Sequence, residues 1–349
     1  MQQQPANNGT ASGAVYVQTN AAPNEVIAFR RAGDGSLDRI GSVATGGEGE
    51  GSPHLTSQGS LTLTRDGRHL LVTNAASDDL SVFSVDADDG SIELRERVHT
   101  GATPKSVAER DGLVVVLNTG QPGVASFRLH AEGISSVEGG KQALSASEAD
   151  PAQVGFSPDG SMIVITQRGT DSIVTYEVTA DGAFGASRQI ASEGPTPYGF
   201  AFTSGGTLVV SEAFRAEKGA AAASSYAIED GTLEPRTSSV GNGRSEICWA
   251  VVTPEDRFAF TTNFADGAVS RFAIASDGSL SLEDATAGIA VEGAPGLRDL
   301  DLSGDGRFLY AIDADGGRIY GWSVGEEGKL EPVGSWEGVP ATVAGLAAS

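Results

Sequence analysis

The chain has 349 residues, 47 of them glycine, with 23 Lys and Arg against 46 Asp and Glu and a formal net charge of −23. That balance excludes the basic grooves that nucleic-acid phosphates demand, no apolar run reaches membrane-spanning length, and the one cysteine, Cys248, excludes an internal disulfide. The four His residues include no close pair, which excludes the usual zinc spacing.

In chain order, residues 1–12 read as a polar spacer, from Gln2-Gln3-Gln4-Pro5 to Gly13. Such spacers often follow a removed export signal, so a cytoplasmic and an exported location both stay open. Residues 13–349 are expected to form one domain. Strand signals begin near Ala14. A turn followed by an apolar run then comes round six times: Thr64-Arg65-Asp66-Gly67 running to Asn74, Glu109-Arg110-Asp111-Gly112 to Asn118, Ser157-Pro158-Asp159-Gly160 to Thr166, Thr203-Ser204-Gly205-Gly206 to Glu212, Thr253-Pro254-Glu255-Asp256 to Asn263, and Ser303-Gly304-Asp305-Gly306 to Asp313. Each reads as a tight hairpin leading into a buried strand.

A third, more alternating strand follows each hairpin and carries an aromatic, at Phe29, Phe83, Phe127, Tyr176, Tyr226, Phe272 and Trp322, spaced 44 to 54 residues apart. A second glycine turn, as in Gly90-Ser91-Ile92 and Gly278-Ser279-Leu280, opens an outermost strand. Four short strands per period of this length predict an all-β, seven-bladed β-propeller with four antiparallel strands per blade. Seven aromatics stand against six hairpins. Pro340-Ala341-Thr342-Val343-Ala344-Gly345-Leu346 has the pattern that opens other blades, so the C-terminal strand is expected to close the first blade and remove the exposed sheet edges.

Function belongs at a channel mouth, because the blades are packing layers. The starts of the innermost strands (Lys105, Gln153, Tyr198, Glu246, Arg298, Thr342) and the ends of the second strands (Asn20, Asn74, Asn118, Arg168, Glu212, Asn263, Asp313) should meet at one rim. Asn at a strand end also suits a turn cap. Charged side chains beside a channel need a partner or a ligand. Glu212 stands where Asn20, Asn74, Asn118 and Asn263 stand in other blades, so it is expected to act as a base, with Arg168 and Arg298 holding an anionic substrate or a developing oxyanion. A structural ion pair for Glu212 is the competing reading. Lys105, Tyr198, Asn118, Asn263, Trp249 and Arg215 are the expected substrate-binding residues, with Arg215 opening an insertion, residues 215–223, that should overhang the mouth. Cys248 and Trp249 suit core packing equally well.

The acidic run Gly46-Gly47-Glu48-Gly49-Glu50-Gly51 precedes no helix and is not read as a phosphate cradle. No cofactor and no resident metal are expected, although Glu212, Asn263 and Asp313 are oxygen ligands of the kind calcium uses. The expected state is a monomer whose partner is a small molecule.

Thr19-Asn20-Ala21-Ala22, Gly194-Pro195-Thr196-Pro197-Tyr198-Gly199-Phe200, Ser211-Glu212-Ala213-Phe214, Cys248-Trp249 and Thr261-Thr262-Asn263 together resemble the bacterial lactonase-type seven-bladed propellers, similar to 3-carboxymuconate cyclases and the propeller class of 6-phosphogluconolactonases. The resemblance covers about Gly13 to Leu346. It implies a lactone hydrolase or a lactonising cyclase working on a lactone or an unsaturated carboxylate, against the alternative of a non-catalytic binding scaffold. The phosphogluconolactonase branch carries Arg-His at one strand start and Asn-Glu at the end of the next strand, where this chain reads Glu246-Ile247-Cys248-Trp249 and Asn263-Phe264. That departure points away from a phosphogluconate lactone. The muconate-cyclising members use basic residues and a carboxylate around the channel, types that Arg168, Glu212 and Arg298 match.

Overall fold

The computed structural model describes residues 13–349 apart from 54 and 132; the spacer expected over residues 1–12 lies outside them. Among the described residues, 28 strands form seven four-stranded antiparallel sheets. Blade 1 is closed as expected: its innermost strand is Ala344–Ala348, followed by Gly13–Gln18, Glu25–Arg31 and Leu37–Ala44. The remaining blades run in chain order, with innermost strands Leu61–Leu63, Pro104–Arg110, Pro151–Phe156, Pro197–Phe202, Ile247–Val252 and Leu297–Leu302 in blades 2 to 7.

The recurring hairpins work through their acids. In the turn after Pro151–Phe156, Asp159 Oδ1 accepts from the Ser157 hydroxyl at 2.6 Å and from the Ser161 amide at 3.0 Å. Gly160 then takes φ of 74°, a conformation that costs glycine little. The Ser157 hydrogen bond holds the Asp159 carboxyl below its ordinary value. The same serine-to-aspartate bond recurs at Ser303 and Asp305, at 2.6 Å. Part of the chain's negative charge is therefore turn chemistry.

The strands alternate between two buried faces. In the second strand of blade 2, Leu70 and Val72 pack against blade 1 with Tyr16, Val26 and Ala28, whereas Leu71 packs against blade 3 with Val107, Val114 and Val116. Blade 7 contributes Phe308, Tyr310 and Ile312 to a core shared with Val15, Val17 and Phe29 of blade 1. All seven aromatics of the sequence ruler are buried on third strands between blades, each contributing on the order of 2 kcal/mol of transfer free energy.

Ring closure has its own polar device. Asp299 and Asp301, on the innermost strand of blade 7, accept from the backbone amides of Gly345 and Ala348 of the closing strand, each at 3.0 Å. Across the channel, the segment before Leu61–Leu63 forms a plug. The Ser57 hydroxyl donates to the Lys105 carbonyl at 2.6 Å and its carbonyl accepts from Trp249 Nε1 at 2.9 Å. Gln58 pairs with the backbone of Ala250 through both ends of its amide, at 2.8 and 3.0 Å. These bonds reach blades 3 and 6 from blade 2, so the segment spans the channel. Gly199 makes room for it: a Cβ there would lie 2.0 Å from Gln58 Oε1.

Burial pushes the Asp299 carboxyl from 3.8 up to about 7. The native chain therefore keeps a proton that the unfolded chain has released, and this contribution to stability is lost as pH rises through about 7. Asp301 rises likewise but is only partly buried. Urea denaturation at pH 5 and pH 8 should show the wild type losing more stability with rising pH than Asp299→Asn. Equal slopes would mean that Asp299 is not a titrating staple of the ring.

Candidate active site at the channel mouth

The rim is built by a repeated backbone device. Thr103, Asp150, Thr196 and Glu246 each immediately precede an innermost strand in the left-handed region, with φ of 56°, 43°, 59° and 54°, and Gly296 takes the same place in blade 7. Each carbonyl accepts from the amide of the residue just past the second strand: Thr119, Arg168, Ala213, Phe264 and Ala314, at 2.9 to 3.2 Å. These pairs bring the strand entrance and the residue after the strand exit together at the mouth. Non-glycine residues in this region carry strain of order 1 kcal/mol each, which recurs where side-chain direction matters.

Residues 48–50 of the loop that leaves blade 1 lie at the mouth against blades 1 to 3. The Lys105 ammonium pairs with Glu50 at 2.8 Å, so the basic residue expected to bind substrate instead anchors this loop. Over blades 4 to 7 the mouth stays open as a cleft of about 350 Å³ lined by Arg168, Thr196, Tyr198, Ala213, Arg215, Ala216, Glu246, Cys248, Phe264 and Arg298.

Arg298 is 3% exposed, with its guanidinium 5.4 Å from the Phe264 ring centroid and 3.7 Å from Asp315. Its Nε and Nη1 are buried without a hydrogen-bond partner. Arg168 donates to Asp150 at 2.7 Å and lies 4.9 Å over the Tyr198 ring; its Nε is also unpartnered. The Tyr198 hydroxyl is buried and unpartnered, and burial pushes it far above its ordinary value, so it remains a donor. Burial likewise pushes up the Cys248 thiol, which donates to the Glu246 carbonyl at 3.4 Å and stays protonated. The cleft thus holds two cations and a phenol with unused donors around aromatic walls, the equipment for gripping a carboxylate or a carbonyl oxygen.

Of the nine residues singled out in the sequence, Arg168, Tyr198, Arg215 and Arg298 line this cleft and the others do not. Glu212 is fully buried and accepts from the Gly194 amide at 2.8 Å and from the hydroxyls of Ser224 and Ser239. Burial raises its carboxyl, and these bonds pull it partly back. Its position is that of a blade anchor, which corrects the expectation of a base at the mouth. Asn118 bonds Thr100, and Asn263 bonds Ser270 and Asn242, in the same buried place. Arg168 does not share that place either: the residue paired with Pro151 is Gln167, and Arg168 follows it. Trp249 is buried, edge-on to Tyr198 at 5.5 Å, below the cleft wall.

The expected insertion is shorter than residues 215–223, because the third strand of blade 5 starts at Ala222. Its turn, Phe214–Ala216, is left-handed at three successive residues and is held by an ion pair between Arg215 and Asp171. Glu246, which the sequence placed at the rim without a role, and Cys248, which suited core packing, both line the cleft. Among the described residues, no group of three or more His, Cys, Asp or Glu is placed to hold a metal ion; Glu212, Asn263 and Asp313 lie in three different blades.

A model of the family described as Lactonase, 7-bladed beta-propeller matches residues 13–133, 132–214 and 212–345. No curated protein matches the chain. Among solved structures, a Bacteroides fragilis protein provisionally named a 6-phosphogluconolactonase is 17% identical over 99% of each chain, with a TM-score of 0.77. A periplasmic gluconolactonase of Pseudomonas aeruginosa is 19% identical over 95% of this chain and 98% of its own, with a TM-score of 0.71. A functionally unknown protein of Desulfotomaculum acetoxidans is 14% identical over 96% and 98%, at 0.73. At these identities the structures share the fold.

Glu212→Ala leaves the Gly194 amide and the hydroxyls of Ser192, Ser224 and Ser239 without their acceptor and should lower stability in urea by about 2–4 kcal/mol. Glu212→Gln should cost less, since the amide oxygen still accepts from Gly194. Full stability in Glu212→Ala would return this residue to the functional candidates.

Proposed function

The chain belongs to the seven-bladed β-propeller lactonase family, and from that premise we propose that it acts on a small lactone bearing a carboxylate, or on the unsaturated carboxylic acid that closes to one, bound in the cleft over blades 4 to 7. The observation that carries this reading is Arg298, a 3% exposed cation with two nitrogens lacking partners. Keeping a guanidinium dry with only the Asp315 carboxylate 3.7 Å away is costly, and a carboxylate or oxyanion in the cleft would offset that cost. Arg168 and the Tyr198 hydroxyl supply further donors for a carbonyl oxygen on which charge develops.

In the hydrolytic direction, water adds to the lactone carbonyl carbon and the ring C–O bond breaks. The water's proton ends on the departing ring oxygen. In the cyclising direction, a carboxylate oxygen adds to a carbon–carbon double bond and the neighbouring carbon takes a proton. The cleft walls favour ligands of the second kind or their lactones. Tyr198, Phe264, Ala213, Ala216 and Cys248 offer flat apolar surface, and Thr196 supplies the aliphatic hydroxyl. A polyhydroxylated sugar ring would leave most of its hydroxyls without partners there.

A panel of carboxylated lactones and conjugated unsaturated diacids, assayed with wild type and Arg298→Gln, tests this. Turnover of at least one member is expected, with kcat/KM falling about 30- to 100-fold in the variant, the scale of one charged hydrogen-bonding pair. Carboxylate binding without turnover would make the chain a binding propeller instead. Turnover unchanged in Arg298→Gln would remove the cleft from consideration.

A further inference from the structure

We propose that Glu246 is the carboxylate that faces the ligand in this cleft and transfers its proton, an inference that rests on the carboxylate-binding reading of the site. Glu246 lines the cleft with Arg168, Tyr198 and Arg298. Its neighbours at equivalent entrances are committed: the Asp150 carboxylate holds Arg168, and the Thr196 hydroxyl accepts from the Arg215 amide at 3.1 Å. No hydrogen bond or ion pair engages the Glu246 carboxylate among the described residues, while its backbone is tied down through Phe264. A rigid main chain with an uncommitted carboxylate is how a general base is presented.

The charged and titratable groups around it come from every neighbouring element: Asp266 from the loop beyond Phe264, Arg298 from blade 7, Arg168 and Tyr198 from blades 4 and 5, Cys248 from its own strand, and Arg215 from the turn above. Partial burial and then the negative charge of Asp266 push the Glu246 carboxyl above its ordinary value. It therefore ionises closer to neutrality than an exposed glutamate. As base, the carboxylate takes a proton from water while the water oxygen bonds to the carbonyl carbon. As acid, it returns that proton to the ring oxygen when the C–O bond breaks, and is restored.

Two measurements on the full chain test this. Benzoate binding by calorimetry between pH 5 and pH 9 reads charge proximity alone. Ionised Glu246 repels an anion held at Arg298, so wild-type affinity should fall with rising pH, while Glu246→Gln should bind with nearly constant affinity and about tenfold more tightly at pH 8. On any substrate the panel yields, Glu246→Gln should lose about 10²- to 10⁴-fold in kcat together with the acid limb of the pH profile, and Glu246→Asp should keep that limb at reduced rate. Unaltered pH dependence of benzoate binding in Glu246→Gln overturns the proposal whatever the turnover. A wild type that binds benzoate with this pH dependence but converts no substrate removes the proton-transfer step and the enzymatic reading together, leaving Glu246 as the charge that tunes binding. If benzoate does not bind, the carboxylate reading falls, and a Glu246→Gln variant with wild-type kcat then overturns the proton role separately.

Discussion

A strand with two buried faces constrains everything else in this molecule. Leu70 and Val72 look into one inter-blade core and Leu71 into the next. No blade is complete without a neighbour on each side, and the only arrangement that leaves none incomplete is a closed ring. Closure forces the chain to divide a blade, and the sheet that pairs Val15, Tyr16 and Val17 with Ala348, Ala347 and Leu346 joins its two ends. Packing thereby consumes almost every apolar side chain, and what differs between blades is confined to the mouths of the channel.

At one mouth the fold then spends half of the available rim on itself. The loop that leaves blade 1 drops Ser57 and Gln58 across the channel to bond blades 3, 4 and 6, and takes Lys105 as an anchor through Glu50. Gly199 is what lets the Gln58 amide lie against blade 5 and pair with blade 6. The opposite half of the rim is left open, and there Arg298, though paired with Asp315, is as buried as a core residue yet has donors to spare. Natural interiors seldom tolerate such groups, because each dry, unpaired donor costs on the order of 1–3 kcal/mol. Arg168, Tyr198 and Arg298 bring such donors together along one cleft over blades 4 to 7, which supports the proposal that a ligand binds there.

The architecture was legible in the sequence because the repeat is written in residues that the blades need: an aspartate that caps its own hairpin and one aromatic per third strand. Arg168, Tyr198 and Arg298 were legible as mouth residues for the same reason, since strand starts and exits follow from the hairpins, and Arg215 from the insertion that follows one such exit. Glu212 misled because side chains alternate, and one residue of offset decides between blade interior and channel mouth. The last residue of the second strand, as at Asn118, Gln167, Glu212 and Asn263, is paired with the entrance of the innermost strand and buried in the blade. The following residue, as at Arg168, Ala213 and Phe264, meets the cleft. Serines at 192, 224 and 239, which give Glu212 its partners, are too far apart in the chain to signal a shared acceptor.

The left-handed entrances were invisible to sequence reasoning, since Thr, Asp and Glu seldom announce a positive φ. They nevertheless give the rim its versatility. With the carbonyl fixed to the strand exit in blades 3 to 7, the side chain at this place projects to the mouth, and its identity can change without disturbing any inter-blade core. Blade 4 uses it to hold an arginine, blade 5 to steady the turn above the cleft, and blade 7 carries no side chain there at all. Blade 6 alone of these places an acid at the entrance and gives it nothing to hold. The backbone at Glu246 is the same left-handed device as at its neighbours, so what sets blade 6 apart is the free carboxylate, which is what the proposed proton role requires.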